Sequence, residues 1–523
     1  MSYSSTGDAM KKSRLTILIL ILTIYLNSFQ PALSTQIQLN SIDARPGIYT
    51  LYEDEDASVK INVTYNSLPN YTEEPAVNVT VKVNGMILWS VFSLQSRKIL
   101  FGELNEWNYY PLWIPKGLNR GDEIELYNSK FKVIAASENE VLVTNGSLTL
   151  KFDTFTGVMI TGDLIIKGES YHVYIKATNM KLRRTDFEKL YYDWKALTKH
   201  LEKLNETYRN HLKIYSIGNS CLGRRIWVCE IPARKVEEAA IVIDGGMHGS
   251  EVIGVKAAVY ILDKILENYY AIEELDRFTI IVIPMLNPDG VEASKYLPPQ
   301  PQLMLKYARC NARGVDLNRN FAYAWEKGGS DQFESPVFRG LNPESEPEVK
   351  ALLSIFKNRN VIFYVNLHSG VSATLIPGYN SNPYVTLYES EIAAGISNIF
   401  GHQIYKGKIY GGSANWALFA SDKKALSIII ELYGDKAQLE TDWFYFYNPD
   451  NNRTVEEICG KAYYSILFIL KNAEKWIEKA EEIKLRREFQ SRITYFAVTA
   501  LVIMLAAITF MKVKKVKLQP IRH

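Results

Sequence analysis

Two rhythms of apolar and polar residues run along the chain. Within residues 36–176 apolar positions alternate with polar ones: Val77, Val79, Val81 and Val83 are separated by Asn78, Thr80 and Lys82, and Asn84–Gly85 then precedes another apolar run. A period of two marks a half-buried strand, and Asn-Gly between two such runs predicts a tight hairpin. Short runs with glycine-bearing turns continue through "EVLVTNGSLTLKFDTFTGVMITGDLIIKG", so this region is expected to be an all-β, sandwich-like accessory domain. The rhythm changes from residue 181. Residues 187–204 carry helical spacing, and continuous apolar runs then alternate with helical patterns through residue 475. Candidate core strands are 226–231, 240–243, 278–283, 361–367 and 426–432. Strands alternating with helices predict an α/β domain, a mixed β-sheet flanked by helices, over residues 181–475.

Both ends carry longer apolar runs. Lys11, Lys12 and Arg14 precede the apolar residues 15–26, followed by Pro31, Ala32 and Ser34, so residues 1–35 read as a signal peptide or a signal anchor. Residues 493–511 hold 19 positions without a charge, enough for a transmembrane helix. A Lys- and Glu-rich stretch, 476–492, predicts a charged helical stalk leading into it. The tail, 512–523, carries Lys512, Lys514, Lys515 and Lys517 and no acidic residue, which places it on the cytoplasmic side. A single-pass membrane protein follows, with its folded part extracytoplasmic. Asn62, Asn70, Asn78, Asn145, Asn205 and Asn452 each begin an Asn-x-Ser/Thr triplet, in keeping with that side.

Composition narrows the class. The chain has 523 residues, 47% apolar and 22% charged, which describes globular domains with sizeable cores. A formal charge of +3 gives no reason to expect nucleic acid as a partner. With 4 cysteines this is no disulfide scaffold, although Cys221 and Cys229 flank a turn and a strand and are a candidate extracellular pair.

Candidate chemistry gathers at strand exits. "VIDGGMHGSEVIGV" (242–255) places His248 and Glu251 between a core strand and a helix start. "VIFYVNLHSG" ends a second core strand with His368. Two histidines and a carboxylate are what a catalytic zinc ion uses, with one position left for water; non-haem iron takes the same set. "IIIELYG" ends a third core strand with Glu431, a carboxylate that is costly there unless it belongs to a site. Its role beside a zinc-bound water would be general base, then general acid. The loop "RCNARGVDLNRNF" (309–321) collects Arg309, Arg313 and Arg319 with Asn311 and Asn318, groups suited to binding a carboxylate. "NPDG" (287–290) reads as a tight turn.

Taken together and in order, "HGSE" (248–251), "NPDG" (287–290), "GVDLNRNF" (314–321), "LHS" (367–369) and "IEL" (430–432) resemble the zinc carboxypeptidase family, the M14 metallopeptidases. "IGNSCLGRRIWVCEI" (217–231) resembles its Gly-x-Ser-x-x-Gly-Arg motif before a strand. The resemblance implies one zinc ion held by His248, Glu251 and His368, with Glu431 as general base. It implies that Asn318 and Arg319 bind the terminal carboxylate of a peptide or protein substrate, and that Arg309 polarises the carbonyl to be cut. Asp316 would orient the first zinc histidine. Three positions depart from the pattern. Ser250 replaces the usual arginine between the first two ligands. The family's mobile tyrosine is matched by neither Tyr405 nor Tyr410 at the usual offset, and Tyr410 is the better candidate. Asn415 stands for the usual aspartate before Trp416, and the uncharged Ala414 occupies the position that forms the side-chain pocket. Two other readings remain: a zinc amidohydrolase acting on acylated amino acids or cell-wall peptides, and an inert cell-surface binding protein.

Overall fold

The computed structural model describes residues 49–516 apart from 55–58, 66–74, 105, 116, 138, 155–156, 179–186, 236–238, 296–305, 307, 334, 380, 407–408 and 439–442. The signal-like residues 15–26, the boundary near residue 181 and the end of the basic tail lie outside the described residues.

Eleven antiparallel strands, from Tyr49–Glu53 to Glu169–Thr178, form the N-terminal region. Asn84 and Gly85 join Ala76–Val83 to Met86–Ser93 with Val83 facing Met86, and both turn residues have positive φ, the hairpin that Asn-Gly predicts. The sandwich-like expectation takes the form of one continuous sheet around a single core. The first five strands make one meander and the last six another, and Tyr49–Glu53 pairs with Glu169–Thr178 to join them. The buried valines 77, 79, 81 and 83 share that core with Trp107 and Trp113.

In the second domain eight strands form a mixed sheet: β1 Lys213–Asn219, β2 Arg225–Ile231, β3 Ala239–Gly245, β4 Phe278–Ile283, β5 Val361–His368, β6 Ala373–Leu375, β7 Gln403–Tyr405 and β8 Leu426–Glu431. Their order is β1-β2-β4-β3-β5-β8-β6-β7. The adjacent strands β4, β3, β5 and β8 are parallel and all but continuously apolar, as strands covered on both faces must be. Helices α1 (Trp194–Thr207), α2 (Val252–Glu267), α3 (Pro288–Ser294), α4 (Ser413–Phe419), α5 (Trp443–Tyr447) and α6 (Asn452–Val516) matter for the site. The helix expected over residues 187–204 is split, because Asp193 caps α1 by accepting from the Ala196 amide at 2.7 Å.

Helix α6 is uninterrupted for 65 residues. Val455, Cys459, Ala462, Ile466, Ile469, Ala473, Trp476 and Ala480 recur every three or four positions and pack into the core. The expected stalk and span are therefore a continuation of the last core helix, and its packing runs past the expected boundary at 475 to Ile483. Beyond it Ile493, Phe496, Val502, Ile503 and Leu505 are exposed, and the apolar stretch is long enough to cross a bilayer by length and composition. All four cysteines are buried free thiols, so Cys221 and Cys229 do not pair.

Candidate active site

Three parallel strands deliver the site to one edge of the sheet. Gly245 of β3 stands level with Leu367 of β5, and His368 faces Glu431 of β8. Groups that follow these strands therefore converge just outside their C-terminal ends, the usual place for ligands in α/β sheets. The turn after β3 needs its glycines. Gly246 has φ +63°, and a Cβ on Gly249 would lie 2.0 Å from the carbonyl carbon of Gly290. That contact seats the turn carrying His248 and Glu251 on helix α3. Asn287 closes the other side: its Nδ2 donates to the carbonyls of Cys310 at 3.0 Å and Arg309 at 3.4 Å.

His248, Glu251 and His368 are all buried, and their ligand atoms lie within 4.8 Å of one another. The two Glu251 oxygens meet the Nδ1 atoms of His248 and His368, each at 2.8 Å. The far nitrogens are engaged as well, His248 Nε2 by Asp316 at 3.0 Å and His368 Nε2 by Asn366 at 2.5 Å. Partners on the outer nitrogens fix tautomer and ring direction, leaving both Nδ1 atoms directed at a common point beside the carboxylate. Two imidazoles and a carboxylate, oriented in this way, fit a zinc ion.

The electrostatics follow from burial among opposite charges. Burial disfavours the ionised Glu251, but His248 and His368 outweigh it and hold the carboxyl well below the usual range. Asp316 is held low in the same way, chiefly by Arg309 and then His248. Burial and Arg309 depress His248, and Glu251 and Asp316 overcome them, raising it above the ordinary histidine value. Glu431 differs. Burial, and then the Glu251 charge, push it up to about 7, and its Oε2 is buried with no hydrogen-bond partner among the described residues.

A cavity of about 280 Å³, near the lower end of small-ligand sites, is lined by these groups together with Arg309, Asn318, Arg319, Ile409, Ile429, Phe446 and Tyr447. Arg309 is aimed by Asp316, to which Nε and Nη2 donate at 3.1 and 2.9 Å, and its Nη1 reaches Glu251 at 3.3 Å. Asn318 accepts from the Ser413 amide at 3.0 Å at the start of α4, and Arg319 Nη1 donates to the Asn318 carbonyl at 2.8 Å. The other polar groups of that loop turn away: Asn311 Nδ2 donates to Glu346 and Glu348 at 2.7 and 3.0 Å. Arg313 lies 3.8 Å from Glu346.

Tyr410 is not brought to the cavity. Its residue pair with Gly411 is held in a backbone turn, where the Gly411 amide donates to Tyr323 and its carbonyl accepts from Phe321. The neighbouring Ile409 lines the cavity, and so does Tyr447 of α5. Ala414 is fully buried but does not line it; Ile409 and Ile429 make that wall apolar. Sequence reasoning also passed over Asn366, which binds His368, and Asn448, which binds the turn around Glu251. Asn366 alternates with His368 on β5, a polar residue inside a core strand, and that was the available signal.

A centre with two histidines, one carboxylate, a second carboxylate with one open oxygen nearby and two guanidinium groups defines a metal-dependent hydrolase site. The family model described as zinc carboxypeptidase matches residues 197–458, just over half of the chain, and the chain belongs to that family. Relatives include carboxypeptidase D of Drosophila melanogaster, 31% identical over 236 residues, covering 42% of this chain and 15% of that protein. The carboxypeptidase N catalytic chain of Homo sapiens is 29% identical over 197 residues, covering 35% and 43%. This chain thus spans less than half the length of either relative. Among solved structures, bovine thrombin-activatable fibrinolysis inhibitor in complex with tick carboxypeptidase inhibitor aligns with a TM-score of 0.44 at 23% identity, over 55% of this chain and 98% of that one.

Proposed function

We propose that this protein is a zinc-dependent carboxypeptidase that removes the C-terminal residue of peptides on the extracytoplasmic side of a membrane. The observation that carries the reading is one cavity holding His248, Glu251 and His368, Glu431 with its unpartnered Oε2, and the guanidinium groups of Arg309 and Arg319. Zinc held by the two histidines and Glu251 would supply Lewis acidity, making water acidic and polarising a carbonyl. Asn318 and Arg319 hold the terminal carboxylate of the substrate, which sets the last peptide bond beside the metal ligands. Glu431, poised near neutrality, takes a proton from the attacking water and returns it to the departing amine. Arg309 steadies the carbonyl oxygen as negative charge builds on it, and Asp316 keeps both Arg309 and His248 in place. With Ile409 and Ile429 beside Asn318, the terminal side chain accepted is uncharged.

His368→Ala tests the metal centre. The variant is expected to lose zinc, measured by elemental analysis of the purified full-length protein, together with release of C-terminal residues. Full zinc content in that variant removes His368 from the ligand set.

A further inference from the structure

Two hydroxyl groups of the cavity, those of Ser369 and Tyr447, take no part in the steps proposed above, and Tyr447 is the one on the wall beside Arg309. Tyr447, the last residue of α5, lines the cavity with Arg309, Gly370 and Glu431. Its hydroxyl has no hydrogen-bond partner among the described residues. The ring lies against the backbone of Gly370, where φ is +132° and a Cβ would come within 2.9 Å of the tyrosine Cε1. A glycine two residues past the ligand His368 thus leaves the space that the ring takes.

The next residue fixes the position. Asn448 is fully buried; its Oδ1 accepts from the Ile253 amide at 2.9 Å and its Nδ2 donates to the Ser250 carbonyl at 2.8 Å. Those two bonds bracket Glu251, so the backbone bearing Tyr447 is tied to the turn that carries a metal ligand. The Asp435 amide donates to the Phe446 carbonyl at 3.0 Å and anchors the other side. A donor held this way needs little reorganisation when charge develops nearby. Burial pushes the phenol up to about 12, with Glu251 and Glu431 adding to it against Arg309, so the hydroxyl keeps its proton near neutrality. A protonated, unpartnered phenol facing a cavity can donate to whatever enters it.

With a terminal carboxylate at Asn318 and Arg319, the acyl half of a peptide extends toward Arg309, Gly370 and the Phe446–Tyr447 wall. We propose that Tyr447 is a catalytic residue of this site, its hydroxyl donating a hydrogen bond to the carbonyl oxygen of the bond being cut, alongside Arg309. This rests on the carboxypeptidase reading. The test is Tyr447→Phe in the full-length, zinc-loaded protein in detergent, which keeps the ring and removes only the hydroxyl. With an N-acylated free-acid dipeptide, kcat is expected to fall about tenfold, the worth of one neutral hydrogen bond. KM, zinc content and melting temperature should stay at wild-type values. An unchanged kcat, a loss confined to KM, or a loss of zinc overturns the proposal. Wild-type protein that releases no C-terminal residue overturns the carboxypeptidase reading, and this proposal with it.

Discussion

Glu431 shows how much one residue's environment decides. The same carboxyl on a surface would be ionised and paired with water; here burial and the neighbouring Glu251 raise it to about 7. A base poised there is half-protonated near neutrality, so catalytic turnover should rise as pH climbs through that value. Glu431→Gln keeps shape and removes the proposed proton transfer. Turnover is expected to fall by about two to four powers of ten while zinc, measured by elemental analysis, stays bound. A variant that keeps its turnover would give the proton transfer to another group. His248 and Glu431 also set the pH dependence of the metal-free protein. Both take up protons more readily folded than unfolded, so their contribution to stability is present at low pH and lost as pH rises through their folded values. Zinc must displace the proton on His248, so its affinity should weaken on acidification from about pH 7.5 to about 5.5, where histidine ordinarily titrates. Titration with a competing chelator at the two pH values measures this, and equal affinity would contradict it.

At the scale of elements, the site depends on how closely the ligand turn sits on helix α3. A methyl group on Gly249 would press on the Gly290 backbone, which cannot swing aside as a flexible side chain can. Gly249→Ala should therefore destabilise the protein by about 1–3 kcal/mol or more and lower its zinc content, read by thermal melting and metal analysis. An unaltered melt and metal content would mean the turn moves freely. The candidate ligands were legible in the sequence because β5 and β8 are apolar runs that end abruptly in His368 and Glu431, and β3 runs into a short glycine turn that carries His248 and Glu251; each end is local information. The five expected core strands correspond to β2, β3, β4, β5 and β8 within one or two residues. Sheet order was not legible, since pairing β4 with β3 and β3 with β5 joins segments far apart in sequence. Nor was the wall of the cavity. Tyr447 and Asn448 lie on a connection, "WFYFYNP", whose aromatic density marks packing but not which ring turns inward. Tyr410 illustrates the converse: it was favoured from the family resemblance although its offset from Gly411–Gly412 departs from the pattern, and the backbone bonds of Gly411 to Tyr323 and Phe321 hold that turn away from the cavity.

At the scale of the whole molecule, α6 links the α/β domain to the apolar stretch. No glycine or proline interrupts it after Gly460, so the helix that closes the α/β core continues as a rigid rod to the apolar stretch. From Ile483, which still packs against the core, to Ile493 is 10 residues, or about 15 Å of helix. The catalytic domain is thus expected to stand at a set height above the bilayer rather than swing on a flexible tether. In intact cells, protease added outside should digest the domain and spare a C-terminal tag; a protected domain would reverse the proposed topology. Release of a terminal residue, and not internal cutting, is the central claim, and it rests on Arg319. Burial lowers the guanidinium below its ordinary value but leaves it charged, facing the cavity beside Asn318. The most direct measurement is the ratio of kcat/KM for a free-acid peptide to that for its C-terminal amide, in wild type and in Arg319→Ala. A hydrogen bond to a charged group contributes roughly 1.5–3 kcal/mol, so the wild type should favour the free acid by at least one to two powers of ten, and the variant should lose most of that preference. Equal cleavage of both peptides by the wild type would contradict the account.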